Sequence, residues 1–238
     1  MSDETANLND DALPLARKLH RPAVEQVLRA HYPRVSRMSM ALTGREDSGK
    51  TVAKTVMSQS LRTIPWWSNE TEAANWFLHH TVLTSREYAD PVPEPAEDCL
   101  VATLKNPSPE HVAFVKSLRL LPPQQREAFI LFRGEHLDPR QAGVAMDCST
   151  GAAANHRIAA EKALSAITAD TFDARTAELM RVYASLTPPE AFVVGDVSSI
   201  ASQLTGRKAK KTLKNLILLI ILAIIGWTIW QLSKMIVI

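Results

Sequence analysis

The chain has 238 residues, with 27 Lys plus Arg against 25 Asp plus Glu and a formal net charge of +2 at pH 7. That length holds two small domains and a tail, and so small a charge excludes a general nucleic-acid coat. The two cysteines, Cys99 and Cys148, lie far apart, which excludes a disulfide scaffold and a zinc site and fits a reducing cytosol.

Residues 1–12 are acidic and polar, carry no signal-peptide pattern and are expected to be disordered. Residues 14–31 read as an amphipathic helix on Leu15, Leu19, Val24, Val27 and Leu28, interrupted at Pro22. From Arg34 to Leu61, Val35, Met38, Leu42, Val52 and Val56 recur at helical spacing, with a break at Gly44. Residues 72–88 read as another helix. The string Gly44-Arg45-Glu46-Asp47-Ser48-Gly49-Lys50-Thr51 spells a phosphate-binding loop. Such a loop follows a buried strand of a parallel sheet, whereas the preceding SRMSMALT is apolar at helical positions. Residues 91–110 hold several prolines among acidic and small residues and read as a semi-extended linker.

Residues 121–164 carry the densest local signals. Pro122 and Pro123 open a helix that runs through Phe129 and Phe132 to Gly134. Asp138 followed by Pro139 starts a second helix, on which Ala142, Ala145 and Met146 share one face. Asp147 and Cys148 make a turn, and Ser149 caps a third helix with Ala153, Ala160 and Leu164 inward and Asn155 and His156 outward. That geometry suits a helix offered to a DNA major groove, and equally a small helical bundle.

The stretch 121–164 resembles region 4 of bacterial sigma-70-type sigma factors, especially the small extracytoplasmic-function type. LPPQQREAF, the Cys148-Ser149 pair, Gly151 and the closing Lys162-Ala163-Leu164 fall in register with that family's pattern. Residues 13–90 resemble its region 2, through Tyr32-Pro33-Arg34, the run from Leu42 to Asp47, and Asn75-Trp76-Phe77-Leu78. The resemblance implies core RNA polymerase docking through Glu46, Asp47, Val52 and Val56. It implies DNA contact through Trp76 and Arg86 in region 2, and through Ser149, Thr150, Asn155, His156, Arg157 and Lys162 in region 4. The departures are specific. Ala154 stands where the family carries Lys, His156, Ala159 and Glu161 where it carries Arg, and Arg157 in place of a core Leu. Lys50 and Lys54 replace acidic residues on the docking face. Phosphate affinity comes mainly from Lys and Arg, so DNA binding is expected to be weak.

Residues 171–212 extend past the family's usual end. TAELMRVYASL reads as a helix stopped by Pro188-Pro189, and 190–206 fits a strand, a loop or a linker alike. Residues 213–233 are apolar all round and long enough to span a bilayer as a helix of about 20 residues. Arg207, Lys208, Lys210, Lys211 and Lys214 flank it on one side and Lys234 on the other, with Trp227 and Trp230 toward the outer interface. Positive charge stays inside, so the preceding domains are expected in the bacterial cytoplasm, residues 234–238 outside, and the basic cluster against lipid.

The expected architecture is all-α. It comprises a disordered start (1–12), a region 2-like domain (13–90), a linker (91–110), a region 4-like helix-turn-helix domain (111–170), a helical and basic extension (171–212), and a single span (213–233) in the cytoplasmic membrane. The expected function is a membrane-anchored sigma-like initiation protein that binds core RNA polymerase and promoter DNA. It is not an enzyme, and it has no catalytic residue, metal or cofactor. The alternative is a degenerate relative acting by protein contact on a sigma, anti-sigma or other regulatory partner. Deleting residues 213–238 is predicted to move the protein from the membrane to the supernatant in carbonate extraction; a truncated chain that stays with the membrane sinks the span.

Overall fold

Several helix boundaries have a local chemical cause. The computed structural model describes residues 12–88, 94–204 and 225, and among these the secondary structure is helical, without a strand. Helix α1 (Ala12–Arg17) leads into α2 (Arg21–Thr43), which has Pro22 in its first turn. Gly44, at φ 79°, closes α2 in the left-handed conformation, and its N–H reaches the Met40 carbonyl at 2.9 Å. Helix α3 (Glu46–Thr63) follows, then a 3-10 turn at Ile64–Trp66. In α4 (Glu70–Glu87) the Asn69 side chain accepts from the Glu72 N–H, while the Glu72 carboxylate accepts from the Ser68 N–H.

The short α5 (Cys99–Ala102) precedes α6 (Pro109–Leu120) and α7 (Pro123–Arg133). Helix α8 (Pro139–Met146) begins with a full capping box, in which Asp138 accepts from the Gln141 N–H and the Gln141 side chain accepts from the Asp138 N–H. Ser149 caps α9 (Thr150–Thr168), and α10 (Phe172–Ser185) follows it.

Three expectations change. Helix α2 runs straight through Pro33, where the sequence reads two separate helices. Proline there costs the N–H bond to the Arg29 carbonyl, but Val24, Val27, Leu28 and Val35 are all buried and hold the helix together. The stretch 91–110 is not simply a linker, because Cys99, Leu100 and Val101 enter the core as α5. Residues 190–200 are helical rather than strand or loop, with Val193, Val197 and Ile200 buried at helical spacing. The phosphate-loop string becomes the α2–α3 turn. A Cβ on Gly49 would meet Met40 at 2.5–2.7 Å, so this glycine serves the close approach of α3 to α2. Lys50 pairs with Glu46 one turn earlier at 2.5 Å.

Residues up to Ile200 form one compact unit, and residues from Ala201 onward separate as a second. No helix among the described residues is long and apolar enough to cross a membrane. The segment read as a span, 213–233, and its flanks lie outside the described residues except Ile225, as do residues 1–11.

Within the first unit one hydrophobic core joins helices before residue 90 to those after it. It takes Met38 and Leu42 from α2, Leu78 and Val82 from α4, Phe114 from α6, Phe129 and Leu131 from α7, Ala142 from α8, Leu164 from α9 and Leu179 from α10. Three arginine–carboxylate clusters ride on it. Arg119 meets Asp98 at 2.6 and 3.0 Å and the Ala41 carbonyl at 2.7 Å, with both side chains 2% exposed. Arg86 holds Glu127 at 2.7 and 2.8 Å. Glu135, 3% exposed, accepts from Arg34 at 2.6 Å, from Arg37 at 2.8 Å and from the Tyr183 hydroxyl. Burial, then the Glu135 charge, holds the Tyr183 phenol well above its ordinary pKa, so it stays a donor.

Removing one partner of a buried pair leaves the other as an uncompensated charge. Asp98→Ala is therefore predicted to cost about 3–5 kcal/mol in urea denaturation followed by circular dichroism, and a double Asp98→Ala, Arg119→Met variant to recover most of that. A single mutant within about 1 kcal/mol of wild type would show that the pair does not organise this core.

Candidate nucleic-acid interface

The α8–α9 corner is a well-formed helix-turn-helix. Asp147 adopts φ 58°, ψ 48°, a left-handed conformation that Asp tolerates better than most residues. The Cys148 N–H then returns to the Gly143 carbonyl at 2.9 Å. Gly143 is required sterically, because a Cβ there would lie 2.9 Å from the Cys148 carbonyl oxygen and 3.2 Å from the Thr150 nitrogen. Ala153, Ala160 and Leu164 are fully buried, as the inward face of α9 was read.

The outward stripe of α9 differs in composition from what the sequence implied. Gly151, Asn155, Ile158 and Lys162 are exposed at spacings of three and four. Ile158, in the middle of the stripe, is 54% exposed. Ser149 and Thr150 are exposed at the helix start, although the Ser149 hydroxyl is already accepting from the Ala152 N–H. His156 is half-buried. Arg157 leaves the outward face, with its guanidinium carbon 4.9 Å from the centre of the Phe132 ring and its Nε buried. Glu161 is held by Arg133 at 2.8 Å. Among the residues predicted to touch DNA on this helix, Lys162 is the one cation left facing solvent.

Helix α4 packs across α8, which occupies the side chains the resemblance assigns to DNA. Arg86 forms the fork on Glu127 and also donates to the Met146 carbonyl at 3.0 Å. The Glu127 hydrogen bonds, the largest influence, raise the Arg86 pKa further above an already high value, so its charge is committed to this contact. Two turns earlier, His79 Nδ1 lies 3.1 Å from the Val144 carbonyl. Trp76 is half-buried in a ring cluster, 4.1 Å from His80, 5.3 Å from Phe77 and 5.5 Å from Trp67. Burial, then His79, lowers the His80 pKa and favours the neutral ring.

The residues to which the resemblance gives a docking role also divide. Glu46 and Asp47 are exposed in the first turn of α3, where their charge suits the helix dipole. Val52 and Val56 have no exposure and cannot form a docking face. They belong to the Gly49, Val52, Ala53, Val56, Met57 stripe that α3 turns inward. Lys54 is paired with Asp196 at 3.2 Å.

The sequence reading overlooked Glu127 and Glu135, whose partners lie 41 and about 100 residues away. It also overlooked Trp66, which is 80% exposed on the turn after α3. The Trp66-Trp67 pair behind Pro65 was the available signal for a tight turn with one ring in and one out.

Comparison of the chain with protein-family models, with curated proteins and with solved structures finds no match.

Gly143→Ala is predicted to destabilise the unit by about 1–3 kcal/mol through the backbone clash at the turn. Gly151→Ala, with nothing within 4 Å of its Cβ, serves as control and should be neutral or stabilising by up to about 1 kcal/mol. Equal melting temperatures for the two variants would contradict the close α8–α9 approach.

Proposed function

We propose that this chain is a divergent sigma-factor-like regulator that acts by protein contact rather than by reading promoter DNA, held at the bacterial cytoplasmic membrane by residues 213–233. One observation carries the reading. The helix that would enter the groove presents Asn155, Ile158 and Lys162 to solvent, while Arg157 and Arg86 are turned to contacts inside the protein. Duplex affinity rests on phosphate neutralisation, and one outward lysine releases few counterions. A solvent-facing isoleucine at the centre of the stripe is better matched to an apolar residue of a protein partner than to phosphate. A sigma, an anti-sigma or the core polymerase itself is the partner class that the resemblance suggests, and no catalytic step is assigned.

A second reading, initiation by binding core RNA polymerase and promoter DNA, keeps support from the helix-turn-helix corner. The N-terminus of α9, with Thr150 and Gly151 exposed, remains open to a phosphate or a base edge. The acidic start of α3 at Glu46 and Asp47 is also accessible.

Fluorescence anisotropy on duplex DNA across a salt series, paired with a core-polymerase pull-down, separates the two. The wild-type chain is predicted to bind duplex weakly with a shallow slope, and the Ala154→Lys, Ala159→Arg variant to steepen that slope by up to about 2, near 0.9 for each added phosphate contact. Tight, steeply salt-dependent binding by the wild type would hand the lead to the initiation reading. A folded double variant that gains no affinity would show that α9 does not face DNA.

A further inference from the structure

The chain leaves the first unit at a defined end. After α10 it runs back along α2. The Thr187 hydroxyl accepts from Arg37 Nη1 at 3.0 Å, Asp196 accepts from the Tyr32 hydroxyl at 2.5 Å, and the Ser198 hydroxyl accepts from Arg21 Nη2 at 3.3 Å. Each step forward is a step toward the start of α2, so the unit's last residue, Ile200, lies at the Arg21 end. Other pieces of chain meet there. Helix α3 returns along α2 after the Gly44 turn and brings Arg62 and the Ile64–Trp66 turn to that end. Helix α1 packs on both α2 and this turn, with Ala12 and Ala16 buried.

These pieces expose two kinds of side chain. Leu15 is 42% exposed and Trp66 80%. Arg17, Lys18 and Arg62 are exposed and have no partner among the described residues. Carboxylates in the same region are mostly engaged. Glu25 pairs with Arg21 and Arg29, and Glu72 accepts from the Ser68 N–H. Glu70, in the first turn of α4, is exposed.

We propose that this end, made of α1, the last turn of α3 and the Ile64–Trp66 turn, rests on the surface of an anionic bilayer. The inference builds on the reading of residues 213–233 as a membrane anchor. An indole is favoured at the level of the lipid headgroups. Arginine and lysine lay their stems along apolar groups and place their charges among the phosphates. One indole and three cations hold a free protein only weakly, and the connection to the anchor removes that shortfall. Residues 201–212 span at most about 40 Å when fully extended, so the exit end stays close to the bilayer. The contact becomes intramolecular, at an effective concentration in the millimolar range. Single-stranded nucleic acid also offers phosphate and a stacking plane. The bilayer is favoured because the patch and the exit of the chain coincide.

The test uses the full chain reconstituted in phosphatidylcholine vesicles, with or without phosphatidylglycerol, containing a lipid spin-labelled near its headgroup. Tryptophan quenching is read for wild type, for Trp66→Phe, which isolates Trp66 by difference, and for a Trp227→Phe, Trp230→Phe variant, which isolates the anchor. Trp66 should be quenched in the anionic vesicles. The Arg17→Glu, Lys18→Glu variant should lower its lipid-bound population at least about ten-fold. If circular dichroism shows that variant to be unfolded, Arg17→Gln, Lys18→Gln gives the same readout with a smaller loss. Quenched Trp227 and Trp230 beside an unquenched Trp66 overturns this surface and leaves the anchor standing. The reverse pattern removes the anchor and retains the surface, and no quenching at any of the three rings overturns both. Quenching of Trp66 that ignores the charge changes overturns the proposal, as does quenching by a single-stranded oligonucleotide but not by lipid.

Discussion

The pairing of Asp98 with Arg119 is the constraint on which the rest of the first unit depends. Both groups are almost wholly removed from water, and neither would be there without the other. Asp98 does two jobs, since its carboxylate also accepts from the Leu100 N–H and so starts α5. Arg119 donates in addition to the Ala41 carbonyl at the end of α2. The neighbouring Cys99 N–H reaches the Gly44 carbonyl at 2.9 Å, and its thiol reaches the Met40 carbonyl at 3.0 Å. Burial pushes the Cys99 pKa up to about 12, so the thiol is a neutral donor and an inert packing group. Three segments far apart in sequence, the α2 end, the former linker and α6, thereby share one desolvated node. Such nodes add little net stability over an apolar equivalent, but a wrong arrangement would strand a charge, which is how they select one arrangement.

The same economy of charge explains the outside of the molecule. Arg86 is paired with Glu127, Arg34 and Arg37 with Glu135, and Arg133 with Glu161. Each guanidinium joined to a carboxylate is subtracted from what a phosphate backbone could use. A near-neutral composition therefore becomes a near-neutral helix-turn-helix face. Arg157 is the instructive case. It stands where the resembling family has a core leucine, and it lies over Phe132, filling that space with the flat face of its guanidinium.

Features set by nearest neighbours were legible in the sequence. The Asp138 and Ser149 caps, the Gly44 stop and the Ala153, Ala160, Leu164 face all depend on chemistry within about one turn, and all appear where they were read. Features set by distant partners were not. An arginine on an amphipathic helix looks alike whether it meets phosphate or Glu127. Val52 and Val56 sit on a stripe whose facing surface is chosen by α2, not by α3 itself. In residues 190–200 the run of valines and isoleucine favours a strand locally, and burial of Val193, Val197 and Ile200 at helical spacing outweighs that preference. At Pro33 the loss of one helix bond was visible, whereas the packing that compensates for it was not.

The joint between α4 and α8 decides which surfaces of the first unit can act. Separating the two helices would strand Glu127 without Arg86, free the Met146 carbonyl and expose Leu78 and Val82 from the shared core. An unpaired buried charge alone costs several kcal/mol, a large part of the roughly 5–15 kcal/mol that holds a domain folded. A partner that needed α4 bare would have to supply that cost from its own contacts. The exposed stripe of α9 and the acidic start of α3 need no such rearrangement. A binding partner reaches them on the unit as it stands, so recognition there is governed by their composition, one lysine and one isoleucine on α9 and two carboxylates on α3.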